Sequence, residues 1–225
     1  MTPEPDVAHD AHHAHHTGRQ WLDLTLALCA MFISVVSLIV AVRHGVTMDR
    51  LVAANSWPFL TYSTDNLDAQ GKSRIALKLI NAGVGPARVE TFEVWWQGQP
   101  VASADELLSR CCVAQPKGPL QPSDISALHM LLGLAAPNVL RAGDSQDFIS
   151  MERTETNTEV WQRLDTARVN LRMRACYCSV FDECWVTDLV QTSVKEVHAC
   201  PAARVPFVLP ERYYKLAPSA TPASN

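Results

Sequence analysis

The chain has 225 residues, 19 Lys+Arg against 23 Asp+Glu, a formal net charge of -4, eight histidines and seven cysteines. That length suits one sizeable domain. From Arg43 onward 18 basic residues stand against 19 acidic ones with no basic run, which excludes nucleic acid as the main partner, because phosphate binding needs a basic excess on one face.

Residues 1–20 carry His9, His12, His13, His15 and His16 among Asp, Ala and Pro. This composition cannot supply a core, so a disordered solvated tail is expected, with loose divalent-metal binding or a tag origin as the other readings of the imidazoles. Residues 21–43 are expected to form a transmembrane helix. Leu24 to Val42 is free of charge, and at 1.5 Å per residue it spans about 28 Å, close to the hydrocarbon thickness. A cleaved signal peptide would have a shorter apolar region and a small-x-small site, whereas Ala41 leads into Val42 and Arg43. The run Leu26-Ala27-Leu28-Cys29 lacks the small residue that a lipobox places before its cysteine, so Cys29 reads as an apolar helix position. Within the span Ala30, Ser34, Ser37 and Ala41 share one helical stripe, a pattern that suits close approach of a second membrane helix, in a homo-oligomer or with another membrane protein.

Residues 44–56 are expected to continue as a juxtamembrane helix or linker until Pro58 forces Trp57 towards extended geometry. A β-domain is then expected over 57–214. Phe59 to Ser63 and Ser73 to Ile80 read as strands, the second alternating Ile75, Leu77 and Leu79 against Ala76, Lys78 and Ile80. Asn81-Ala-Gly-Val-Gly-Pro-Ala87 is a dense turn signal whose glycines are suited to positive φ. Val89 to Gln97 is a strand, and Trp95 and Trp96 point to its opposite faces, one into the core and the other covered by the Pro-rich loop or exposed as a binding anchor. Gly98 marks a reversal. Ser103-Ala-Asp-Glu106 is a capping-box pattern for a short helix that ends at Cys111 and Cys112. A Pro-rich loop over Val113 to Asp124 follows, then a strand, Gly turn and strand within Val139 to Ser150, and a helix over Glu159 to Ala167. The Pro/Ala/Ser-rich end, 215–225, is expected to be loose. Many short strands with Gly/Pro turns predict a mainly β fold, an antiparallel β-sandwich, immunoglobulin-like in type, with one or two short helices.

Six cysteines lie beyond the anchor: Cys111, Cys112, Cys176, Cys178, Cys184 and Cys200. An even, dense set is expected to form disulfides in an oxidising compartment. Arg172 to Asp188 reads as a hairpin, and a turn centred on Phe181 sets Cys178 opposite Cys184, close enough to bridge. The other four have three possible pairings, and vicinal Cys111 and Cys112 most easily bond to two different partners. The competing use of Cys176, Cys178 and Cys184 as metal ligands lacks the C-x-x-C knuckles of zinc sites. Disulfides place the C-terminal domain outside and the N-terminus in the cytoplasm, although Arg19 against Arg43 and Arg50 leans faintly the other way. The expected location is therefore a bacterial inner membrane with a periplasmic domain.

Trp57-Pro-Phe59, the Asn-x-Gly-x-Gly-Pro-Ala turn and Tyr177-Cys-Ser-Val-Phe-x-x-Cys-Trp185, set behind one membrane helix, resemble a group of uncharacterised bacterial single-pass membrane proteins with a C-terminal β-rich domain. The resemblance implies an anchored domain and no activity.

Three chemical patterns fail on their partners. Gly143-Asp144-Ser145 resembles an esterase nucleophile block, yet the late His198 has no Asp three residues before it. Cys176 and Cys178 sit two apart on one strand, without the βαβ context of a thioredoxin-like redox pair. Gly83-Val-Gly85 is followed by Pro86, which removes an amide donor that a phosphate site needs. No cofactor or metal is expected. The reading is a membrane-anchored binding or assembly module of the cell envelope; a hydrolase or thiol-redox enzyme, and a cytoplasm-facing metal or redox sensor, are the alternatives.

Overall fold

A computed structural model of the protein describes residues 20–114, 120–190 and 193–213. The His-rich tail and the C-terminal tail lie outside the described residues, as does the middle of the Pro-rich segment. The chain divides into two compact units between Val52 and Ala53.

Helix α1, Gln20–Asn55, runs for 36 residues, about 54 Å at 1.5 Å per residue. It is long and apolar enough to cross a membrane, and its large side chains from Trp21 to Val52 are exposed. Two hydroxyls within the apolar part are satisfied locally: Thr25 donates to the Leu22 carbonyl (2.9 Å) and Ser34 to that of Ala30 (2.8 Å). A span in lipid needs this, because no water is there to bond a stray donor. Ala30, Ser34, Ser37 and Ala41 fall within about 60° of one another on a helix turning 100° per residue.

Among the described residues, the second unit holds two antiparallel sheets and three short α-helices. The strands are β1 Leu60–Leu67, β2 Ser73–Asn81, β3 Ala87–Trp96, β4 Gln99–Val101, β5 Met130–Leu132, β6 Asn138–Leu140, β7 Ser145–Glu152, β8 Arg172–Cys178, β9 Cys184–Thr187 and β10 Lys195–Val197. The helices are α2 Ala104–Cys111, α3 Pro122–Ala127 and α4 Thr158–Ala167. One sheet has the order β1-β2-β7-β5, the other β10-β9-β8-β3-β4 with β6 also paired to β3. Both sheets feed one apolar core: Ile75, Leu77 and Leu79 of β2 and Ile149 of β7 are fully buried, as are Val94 of β3 and Ala175 of β8. Phe92 of β3 meets Phe148 of β7 edge-on with centroids 5.1 Å apart, and Phe207 closes a triangle at 5.8 and 5.9 Å.

Local chemistry explains the reversals. Gln97 and Gly98 both take positive φ, 48° and 77°, the pattern of a tight hairpin turn between β3 and β4. Gly83 and Gly85 are not at positive φ, contrary to the sequence expectation; they are glycines because the turn lies against the start of the domain. A Cβ on Gly85 would overlap the Ser56 backbone, and one on Gly83 that of Trp57 and Phe59. Asn81, fully buried, fixes this contact. Its Oδ1 accepts from Phe59 and Gly83 (both 3.1 Å), and its Nδ2 donates to the carbonyls of Gly85 (2.7 Å), Leu140 (3.1 Å) and Arg141 (3.2 Å).

The strand, Gly turn and strand expected within Val139 to Ser150 are β6, the turn at Gly143 (φ 77°) and β7, and the two strands join different sheets, β6 beside β3 and β7 beside β2. Two further expectations are corrected, at Pro122 and at Ser103. Pro122, assigned to a loop, opens α3, where the Asp124 carboxylate accepts the Gln121 N–H at 2.7 Å, and Pro at a first helical position sacrifices no bond. At α2 the Ser103 side chain makes no cap; Glu106 reaches past it to the Ala102 N–H at 2.6 Å. Strands β5 and β10, three residues each, have too little alternation to be read from sequence.

Candidate functional site

Among the described residues, a close grouping of cysteine sulfurs is built on β8, β9 and the segment after β10. Strand β8 runs beside β3 and returns through Ser179–Glu183 into β9. The turn forms because the Ser179 hydroxyl accepts the Phe181 N–H (3.1 Å), the Ser179 N–H donates to the Glu183 carbonyl (2.8 Å), and Asp182 takes the left-handed region (φ 61°). The resulting register sets Cys178 against Cys184 and Cys176 against Val186. Strand β10 then lies along β9, and the chain turns back so that Cys200 reaches Cys176.

The sulfurs pair as Cys178–Cys184, with Cα atoms 4.0 Å apart, and Cys176–Cys200, with Cα atoms 5.6 Å apart. Cys111 pairs with its neighbour Cys112 at the end of α2, Cα atoms 3.7 Å apart. This overturns the expectation of two separate partners for the vicinal pair: Cys176 and Cys200 satisfy one another, so no other cysteine of the domain is left for either. Cys29 on α1 is exposed and unpaired.

Arg88 of β3 ties the hairpin tip to the sheet, bonding Asp182 at 2.8 Å and Glu90 at 3.2 Å. Beside it opens a shallow pocket of about 460 Å³ lined by Arg88, Asp182, Cys178, Cys184, His198 and Cys200, among others. Tyr177, between the two cysteines of β8, points the other way into the core and packs on Trp185 with centroids 5.8 Å apart; burial pushes its phenol up to about 12. On the same sheet Glu93, nearly buried, accepts from Arg174 Nε (2.9 Å) and from the Arg204 N–H (2.9 Å). Burial would raise its carboxyl, but the Arg174 guanidinium and the Val205 and Arg204 amides outweigh that and hold it below the usual carboxylate value. Arg174 also stacks 5.6 Å from the Trp95 ring centre, so this half-buried Trp is covered by a guanidinium, while Trp96 packs on the core.

The residues of the esterase-like block are separated. Ser145 opens β7 opposite Ile80 in the four-stranded sheet, and His198 follows β10 on the six-stranded one. The block itself is a turn pinned to Asn81, whose carbonyl accepts the Gly143 N–H (2.9 Å) and whose N–H donates to the Asp144 carbonyl (3.0 Å). As soft ligands, the sulfurs of Cys178, Cys184 and Cys200 all lie within 4.8 Å of one another. Sequence reasoning missed Cys200 as the partner of Cys176, and Asn81 and Glu93 as buried polar hubs. An Asn before a Gly-rich turn was the one signal for the first hub. Comparison with protein-family models, with curated proteins and with solved structures gives no match to this chain.

Proposed function

We propose that this chain is a membrane-anchored binding or assembly module of a bacterial cell envelope, with residues 1–20 in the cytoplasm and the β-domain outside. The observation that carries this reading is the cysteine arrangement: each of the six cysteines beyond the anchor faces another as a bonded pair. Disulfides persist in oxidising compartments, and a small extracytoplasmic domain gains from them what a modest core leaves wanting. The uncharged span Leu24 to Val42 holds the domain at the bilayer surface. The shared core of the two sheets, with Phe92 against Phe148, favours a sandwich of immunoglobulin-like type, an architecture that displays loops at its ends for partners. Such a layout agrees with the resemblance to bacterial single-pass proteins of the same kind. The stripe Ala30, Ser34, Ser37 and Ala41 favours assembly through the anchor.

Alkaline phosphatase fused after Asn225 tests the orientation, because that enzyme folds only where its own disulfides form. An active fusion supports the reading. An inactive fusion, together with an active cytoplasmic reporter at the same position, removes it.

A further inference from the structure

The two sulfur pairs of the β8–β9 region are not independent of each other. Cys178 Sγ lies 3.7 Å from Cys200 Sγ, although each is bonded elsewhere, and Cys184 joins them within 4.8 Å. Cys176 is bonded to Cys200 and lies two residues from Cys178 on one strand, so it faces the same side. Three sulfurs from three chain segments thus lie mutually close, and the fourth, that of Cys176, is joined to them through Cys200.

A tetrahedral zinc ion bound by thiolates at about 2.3 Å separates its sulfurs by about 3.8 Å. The non-bonded contact between the pairs already has that length. We propose that, when both disulfides are reduced, Cys178, Cys184 and Cys200, with Cys176 as fourth ligand, form a thiolate site for a soft divalent metal ion of the zinc type. Cys176, Cys178 and Cys184 are buried, and a dication supplies the charge that several buried thiolates require. The pocket lined by Arg88, Asp182 and His198 gives the ion its way in. The chain therefore has two stable uses for the same sulfurs: covalent clamping in the oxidised domain, and metal ligation in a reduced one, such as the newly made chain before its disulfides close.

The chemistry balances with a dithiol as reductant. Each of the two disulfides takes two electrons and two protons from one dithiol, which closes to its own cyclic disulfide; the freed thiols then release protons as the metal binds.

The test uses the full-length chain in detergent, reduced with excess dithiol, freed of it under anaerobic conditions and titrated with Co²⁺. The expected result is an intense tetrahedral d–d absorption with a sulfur-to-cobalt charge-transfer band that saturates at one equivalent, is bleached by Zn²⁺ and is missing from the oxidised protein. Imidazoles of the His-rich tail give no sulfur band, so they do not imitate it. The double variant Cys111→Ser/Cys112→Ser keeps the band and Cys200→Ser loses it. A footprint on the unaltered protein guards against variants that misfold: zinc should protect Cys176, Cys178, Cys184 and Cys200 of the reduced chain from alkylation while the partly exposed Cys111 still reacts. No charge-transfer band in the reduced wild-type chain, or alkylation of Cys176, Cys178, Cys184 and Cys200 that is the same with and without zinc, overturns the proposal. The orientation of the domain is read separately by the phosphatase fusion, so either idea can fail alone.

Discussion

Replacing Asn81 by alanine removes a side chain that joins three distant pieces of the β-domain: the domain start at Phe59, the turn at Gly83 to Gly85, and the strand end at Leu140 to Arg141. Two of the groups it serves, the carbonyls of Gly85 and Leu140, belong to buried residues, while Phe59, Gly83 and Arg141 retain some access to water. Each lost bond is worth about 1 kcal/mol net, and each buried group left unpaired costs about 1–3 kcal/mol, so Asn81→Ala should destabilise the domain by about 3–5 kcal/mol. For a domain of this size that corresponds to a fall in Tm of roughly 10 °C. Urea and thermal unfolding followed by Trp fluorescence on the full chain in detergent measure it. Asn81→Asp sharpens the test: it keeps the acceptor for Phe59 and Gly83 but turns a carboxylate oxygen towards the three carbonyls of Gly85, Leu140 and Arg141, and should be at least as damaging. Asn170→Ala, which loses only an exposed 3.3 Å bond to the Thr166 carbonyl, should shift stability by less than about 0.5 kcal/mol. A loss below about 1 kcal/mol for Asn81→Ala would refute the reasoning that this side chain organises the turn.

The disulfides should differ in worth by the chain they enclose: their sequence separations are 24 for Cys176–Cys200 and 6 for Cys178–Cys184. Loop entropy assigns about 3.5 kcal/mol to the first and about 2.4 kcal/mol to the second, so the Cys176→Ser/Cys200→Ser pair should unfold at lower urea than Cys178→Ser/Cys184→Ser; the reverse order would contradict the pairing. Glu93 has its carboxyl held below its ordinary 4.5 in the folded protein, so its stabilisation is full above the unfolded value and is lost as pH falls through the folded one. Melting temperature should therefore drop on acidification below about pH 4.5, and Glu93→Gln, less stable at neutral pH, should show a flatter acid limb. Ser34→Leu/Ser37→Leu should weaken self-association of the anchor in a membrane dimerisation reporter, and unchanged association would dismiss the small-residue stripe as a contact.

The parts of this fold that were legible in the sequence are those whose cause is local. The anchor is legible because 19 consecutive uncharged residues are a compositional fact. The β8–β9 register follows from one turn, since a reversal at Phe181 fixes Cys178 opposite Cys184. Helix α4 follows from its own periodicity. What was not legible depends on partners far away in the chain. Asn81 looks like any turn asparagine until Phe59 and Leu140 are brought to it. Glu93 sits in a strand as a surface carboxylate would, and only Arg174 and the returning segment at Arg204 explain its burial. Strands β6 and β7 read locally as a strand, a Gly turn and a strand, but no local pattern says that they belong to different sheets. Cys176 and Cys200 could be matched only once β10 had turned the chain back on itself. For the site, sequence identified the cysteines and not their convergence.

The most direct test of the anchored, oxidised domain is a thiol inventory of the protein taken straight from cells. Cells are quenched in acid, free thiols alkylated under denaturing conditions, and the chain digested and mapped by mass spectrometry. Alkylation confined to Cys29, with peptides joined through Cys176–Cys200 and Cys178–Cys184 and an intact bridge between Cys111 and Cys112, is the predicted result. Alkylation of all seven cysteines at the moment of quenching would contradict the account and place the domain in a reducing compartment.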